Sequence, residues 1–170
     1  SSRGVVTPDT IADAVGPDTK LVAITHASNV FGTVQPIEAI AERCADKGIF
    51  LVVDAAQSAG HLRINLADLP HAAIALGGHK GLQGPSGTGL LLLSPGVEPA
   101  PLLIGGTGLD TFSESAPHAL PERLEAGAPN IPGLAGLAAA LGVLPDPHRA
   151  LATTLQLRDR LLQTQLFTVP

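Results

Sequence analysis

The 170-residue chain has no methionine, no tryptophan and no tyrosine, only four phenylalanines and a single cysteine. With so few aromatic rings, the core must be built from Leu, Ile, Val and Ala. One cysteine, Cys44, excludes an internal disulfide framework and cannot assemble a zinc site; it suits a reducing compartment, so a cytoplasmic location is expected. The histidines lack metal-ligand spacing, and no metal is expected. Charge is scarce as well, with 15% charged residues, a net charge of −5 and scattered basic residues. That pattern argues against a nucleic-acid partner. No apolar run approaches the ~18 residues of a membrane span. The absence of Met and the ending Phe167-Thr168-Val169-Pro170 lead us to expect a piece of a longer protein.

What is present is a foldable chain. Hydrophobic residues make up 45% and the mean hydropathy is +0.30, which rules out a disordered polymer and suits one domain with a real core. Thr7-Pro8 reads as a helix start, with Ile11, Ala14 and Val15 as its apolar face. Residues 21–25 read as a strand followed by the polar loop His26-Ala27-Ser28-Asn29. Pro36 opens a second helix, with Ile37, Ile40, Ala41, Cys44 and Ala45 at helical spacing and Gly48 as the stop. Cys44 is thus expected in the core. Residues 49–53 form a continuous apolar run into Asp54, as in a strand buried on both faces of a parallel sheet. Strand, helix, strand makes a βαβ unit.

Residues 72–76 are a third predicted strand, and residues 90–93 a fourth. The glycine-rich loop between them has no room for a crossover helix, so the fourth strand should not continue the parallel order. Residues 95–129 read as extended loop. Leu134, Leu137, Ala138, Leu141 and Leu144 mark a helix, and Asp146-Pro147 caps a last one carrying Leu151, Leu155, Leu162 and Leu166. His61, His71, His118 and His148 read as structural or solvated.

The polar residues fall at the ends of strands: His26 to Asn29 after the first, Asp54 to Gln57 after the second, His79 and Lys80 after the third. In an open α/β sheet, ligands sit beyond the carboxyl ends of the strands. Only three lysines occur, Lys20, Lys47 and Lys80, and Lys80 alone lies between glycines that let backbone approach a ligand closely. No P-loop is present, since Gly81 stands where Ser or Thr is required after the lysine. A carboxylate, amides, an imidazole and one lysine suit a pyridoxal phosphate enzyme, in which lysine forms a Schiff base and an Asp pairs with the ring nitrogen. For that chemistry the Lys80 amine should be partly desolvated, and Asp54 should be a buried carboxylate paired with a cation.

The stretches THASNVFGTVQPIEAIAERC, VDAAQSAGH, GGHKGLQGPSGTG, GGTG and RLEAGAPNIPG, in this order over most of residues 21–144, resemble the class V aminotransferase and cysteine desulfurase family of pyridoxal phosphate enzymes. The resemblance implies an α/β, partial type I (aspartate aminotransferase-like) large domain, a mainly parallel sheet flanked by helices, and a homodimer. Residues 1–144 would be the central part of the cofactor-binding domain, and residues 145–170 a helix leading towards a C-terminal domain. It further implies that Lys80 is the Schiff-base lysine, Asp54 the partner of the pyridinium nitrogen and Gln57 that of the phenolic oxygen. Asn29 would lie near the ring substituents, and His79 would bind phosphate. Thr107 would reach the phosphate of the neighbouring subunit.

Two positions depart from the family. Gly77 stands where relatives usually carry Ser or Thr, and Ala128 where they often have Thr. The substrate-carboxylate arginine and persulfide cysteine of the family lie outside this chain, and Cys44 does not match that cysteine. The implied reaction converts L-cysteine to L-alanine and leaves persulfide sulfur on the enzyme for a sulfur-acceptor protein. Another class V activity (transamination, selenocysteine cleavage, epimerisation) and a catalytically dead truncated domain remain alternatives. This stretch by itself is expected to be inactive.

Overall fold

The structure, a computed structural model, describes residues 4–108, 115 and 117–166. Helix α1 spans Pro8–Ala14, with Thr7 as its N-cap accepting a hydrogen bond from the Thr10 N–H. It is followed by β1 (Leu21–Thr25), α2 (Ile37–Asp46), β2 (Phe50–Asp54), β3 (Ala72–Gly77) and β4 (Gly89–Leu93). Helices α3 (Ile131–Leu141) and α4 (Pro147–Gln163) come last, with 3₁₀ turns at Leu66–Asp68 and Glu122–Leu124. The strands follow the sequence expectation closely; β2 starts at Phe50 rather than Ile49 and takes in Asp54.

The four strands lie in chain order, β1-β2-β3-β4. The pairs β1–β2 and β2–β3 are parallel, and β3–β4 is antiparallel, as the short glycine loop requires. Thr25 stands opposite Asp54, and Asp54 opposite Ala75. This register fixes the carboxyl ends of the three parallel strands on one sheet edge.

The core lies between α2 and one face of the sheet. Ile37, Ile40, Ala41 and Cys44 of α2 pack with Leu51 and Val53 of β2, Ala72 and Ile74 of β3, and Leu69. Cys44 is buried in this core, as its place on the apolar face of α2 suggests. The expectation that β2 is buried on both faces holds for one face only. Leu51 and Val53 are fully buried, whereas Phe50 and Val52 are half-buried. A smaller cluster joins Ala59, Leu82 and Leu137 of α3, with Leu144 just past that helix packed against it. Helix α4, capped by Asp146, buries no residue.

One buried hydroxyl ties the sheet together. Ser94 Oγ donates to the Leu69 carbonyl at 2.7 Å and accepts from the Ala72 N–H at 3.1 Å. It thereby fixes the end of β4 against the start of β3. Ser94→Ala should leave a buried donor and a buried acceptor without partners and cost about 1–3 kcal/mol. Urea unfolding monitored by circular dichroism would show this as a lowered midpoint with an unchanged slope.

Candidate functional site at the carboxyl edge of the sheet

The first corner of the site is the turn after β1. His26 continues the ladder: its N–H donates to the Asp54 carbonyl at 2.9 Å, and its carbonyl accepts from the Gln35 N–H at 2.8 Å. Residues 27–34 loop out and return through an isolated bridge between Ala27 and Val34. Ser28 holds this loop, its Oγ accepting from the Val30 and Phe31 N–H groups at 3.2 and 3.1 Å. Asn29 sits exposed at the tip, beside the exposed Phe31.

The second corner follows β2. Asp54 Oδ1 accepts from the Ala56 N–H at 2.9 Å, which orients the carboxylate on the edge. Asp54 is exposed rather than buried, contrary to the sequence expectation. It is the last residue of β2, and its side chain lies uncovered by the described residues. Gln57 is half-buried in the turn that follows, and Ser58, fully buried, anchors that turn by accepting from the His61 and Leu62 N–H groups with its carbonyl.

The third corner is the glycine loop between β3 and β4. It is tightly packed. The Gly78 N–H donates to the Thr88 carbonyl at 2.9 Å, the Gly84 N–H to the Gly78 carbonyl at 2.8 Å, and Thr88 Oγ1 to the Pro85 carbonyl at 2.6 Å. A Cβ at Gly78 would collide with Thr88, and one at Gly84 would lie 2.6 Å from Leu137 Cδ1. Gly60 and Gly81 meet backbone to backbone, so neither tolerates a side chain. These contacts bind the lysine loop to the turn after Asp54 on one side and to α3 on the other. The role of Gly133 and Gly136 was missed in the sequence. A Cβ on either would press on Thr88 or Pro85, and two glycines in a Leu- and Ala-rich helix are the signal that could have shown it.

Gly77 carries the link to the lysine. A Cβ placed there would lie 3.8 Å from both Lys80 Cδ and Ala56 Cβ, so the Lys80 stem passes over Gly77 beside the turn that follows Asp54. The spacing is ordinary van der Waals contact, and a small side chain at this position would fit. The head of the loop is open: His79 and Lys80 are both exposed, so the expected desolvation of Lys80 is not provided by the described residues. Thr107 is half-buried on the long connection, next to Gly106, whose carbonyl accepts from the Gly127 N–H at 3.0 Å. The edge thus brings together the turns bearing Asn29, Asp54, Gln57, His79 and Lys80, while Thr107 belongs to a separate segment.

Electrostatically the notable group is His26. It is 4% exposed, and its Nδ1 has no hydrogen-bond partner. Burial pushes its pKa below the ordinary histidine range, with the nearby Glu38 carboxylate acting in the opposite direction. The donor set on the edge also suits the group suggested by the sequence. It offers an oriented carboxylate for a cationic ring N–H, a primary amine for an aldehyde, and an amide, an imidazole and exposed turn backbone for anionic oxygens. Among the described residues, no three His, Cys, Asp or Glu side chains converge to hold a metal ion, and no helix is long and apolar enough to cross a membrane.

Similar proteins are found both by sequence and by structure. The sequence profile of the family described as aminotransferase class-V matches residues 1–166. A probable cysteine desulfurase of Methanothermobacter thermautotrophicus is 43% identical over 142 residues, covering 81% of this chain and 36% of its own length. The apo structure of a cysteine desulfurase from Thermococcus onnurineus NA1 superposes with a TM-score of 0.64 at 36% identity, over 83% of this chain and 36% of that one. A structure described as SspA in complex with cysteine superposes with a TM-score of 0.72 at 31% identity, over 86% of this chain and 39% of that one. The chain therefore spans well under half the length of these relatives.

The buried His26 makes stability depend on pH. Because its folded pKa is lowered, the unfolded chain takes up the proton first. Stability should be full above about pH 6.5 and decline as pH falls below it, towards the depressed folded value. In His26→Gln this part of the decline should vanish, so wild-type and variant urea midpoints should converge on acidification. Parallel curves between pH 7 and pH 5 would contradict the assignment.

Proposed function

The chain belongs to the aminotransferase class V family, and on that footing we propose that it is the central part of the cofactor-binding domain of a cysteine desulfurase that uses pyridoxal 5'-phosphate. The observation that carries this reading is the parallel register that puts Asp54 and the lysine loop on one sheet edge, with the Lys80 stem lying over Gly77 beside Ala56. Residues 1–144 are the cofactor-binding part. Residues 145–170, whose helix α4 buries no residue, are the segment leading towards a C-terminal domain.

When bound, pyridoxal phosphate supplies a pyridinium ring that accepts the electron pair left at the substrate Cα. Lys80 Nζ would hold the cofactor's aldehyde carbon and would take the proton from the substrate Cα. Asp54, oriented by the Ala56 N–H, would hold the proton on the ring nitrogen and so keep the ring an electron acceptor. Gln57 would hold the phenolic oxygen and Asn29 the ring substituents. His79 would hold the phosphate, where Gly77 offers only backbone. Thr107 would serve the phosphate of the neighbouring subunit in a homodimer.

The substrate is L-cysteine, a reading supported by the cysteine complex of a similar structure and by the names of the relatives. The products are L-alanine and a persulfide on a cysteine outside this chain, which a sulfur-acceptor protein then discharges. Cys44, 1% exposed in the core, is not that cysteine. The compartment is the cytoplasm.

Borohydride reduction of the cofactor-loaded protein followed by peptide mapping should place the tag on Lys80; a tag on Lys20 or Lys47 would overturn the assignment. Lys80→Ala should lose the visible absorbance of the bound cofactor. Asp54→Ala should retain cofactor but slow exchange of the substrate Cα proton by on the order of a hundredfold, read by NMR in deuterated water. For Thr107, mixing Thr107→Ala with Lys80→Ala subunits of the full-length enzyme should restore activity, because crossing places both lesions in one site and none in the other. Mixed dimers as inactive as the parents would show that Thr107 serves its own subunit.

A further inference from the structure

A cavity opens at the end of β1, away from the lysine loop. It has a volume of about 440 Å³ and takes in His26, Gln35, Glu38 and Arg63, with Val34 and Leu62 as apolar walls. The end of β1 is two strands from that of β3, a spacing of about 10 Å.

Three features make this cavity chemically specific. The His26 imidazole lines it, nine-tenths buried, with Nδ1 lacking a partner. Helix α2 begins at it: Pro36, the N-cap residue, and Glu38, in the first turn, both line the cavity, and no side chain caps the helix. The Ile37 N–H already donates to the Gln35 carbonyl at 2.9 Å and the Ile40 N–H to the Pro36 carbonyl at 3.1 Å, which leaves the Glu38 and Ala39 N–H groups as donors for an anion. Finally, the wall carries one charge of each sign, Glu38 and Arg63, both exposed to solvent. Gln35 is not free to bind a ligand, because its side chain accepts from the Val6 N–H at 2.8 Å and donates to the Gly4 carbonyl at 2.9 Å.

A purely anionic ligand would meet Glu38, and a purely cationic one would meet Arg63 and the positive end of α2. We propose that this cavity binds the zwitterion of a small α-amino acid, carboxylate towards Arg63 and the start of α2, ammonium towards Glu38 and the His26 imidazole. Val34 and Leu62 leave room for a short apolar side chain. This site is separate from Lys80 and does not depend on the reading of the chain as a desulfurase.

The test is titration of L-alanine into the full ¹⁵N-labelled chain and its Lys80→Ala variant, following the His26 imidazole nitrogens and the Ala39 amide by NMR. Saturable shifts in the millimolar range are expected, equal in both proteins. Propionate and ethylamine, which carry one charge each, should bind about tenfold more weakly, since each loses one ionic contact. Glu38→Gln and Arg63→Met, surface changes whose folding the amide spectrum verifies, should each weaken L-alanine by a similar factor. Absence of saturable shifts at His26 in the wild-type chain would overturn the proposal. So would shifts that disappear in Lys80→Ala, or binding of propionate as tight as that of L-alanine.

Discussion

The parallel pairing of β1, β2 and β3 is the constraint on which the site depends. Residues 26, 54 and 80 are far apart in the chain and reach the same sheet edge only because Thr25, Asp54 and Ala75 stand at one level of the sheet. Side chains alternate faces with a period of two, so a slip of one residue would turn Leu51 and Val53 out of the core and bury their neighbours instead. The packing of α2 against these residues therefore fixes the chemistry of the edge as firmly as it fixes the fold. Fully buried Ile37, Ile40, Leu51, Val53 and Ile74 hold the register that presents Asp54.

A second layer of control comes from glycine. Gly60 and Gly81 bring two loops into backbone contact, while Gly78 and Gly84 let the chain fold against Thr88 and Leu137. The lysine is thus carried by a loop with little freedom, although its own head group faces solvent. A rigid base with an open top is what a site needs when other polypeptide must complete it. The relatives' additional length, and the exposure of Asp54, His79 and Lys80, are consistent with that division of labour.

Much of this was legible in the sequence. Thr7-Pro8, Pro36 and Asp146-Pro147 announced helix starts, and the apolar runs located the strands to within a residue. The short glycine loop gave the antiparallel turn of β4 because no crossover could fit there. The strand-end rule grouped Asn29, Asp54, Gln57, His79 and Lys80. What the sequence could not convey was exposure. Asp54 looked buried because Val52 and Val53 precede it, yet the last residue of a strand need not share its neighbours' burial, and Asp54 is exposed. The packing of α3 on the glycine loop was likewise hidden. A glycine in a helix does not say which neighbour needs the room, and the contact between Gly84 and Leu137 joins residues far apart in the chain.

The antiparallel turn at β3–β4 has a bearing on how the protein acquires its site. Strands β3 and β4 pair through a loop of eleven residues between Gly77 and Gly89, so the lysine-bearing arm closes on itself with a small loop entropy and can zip on the timescale of an isolated hairpin, about microseconds. Asp54 reaches its place only through two longer parallel closures, which cost more chain entropy before any contact repays it. The two halves of the chemistry are therefore assembled by events of different contact order. On a ribosome the Asp54 half emerges first, yet its β2–β3 pairing must wait for the segment that brings the lysine with it.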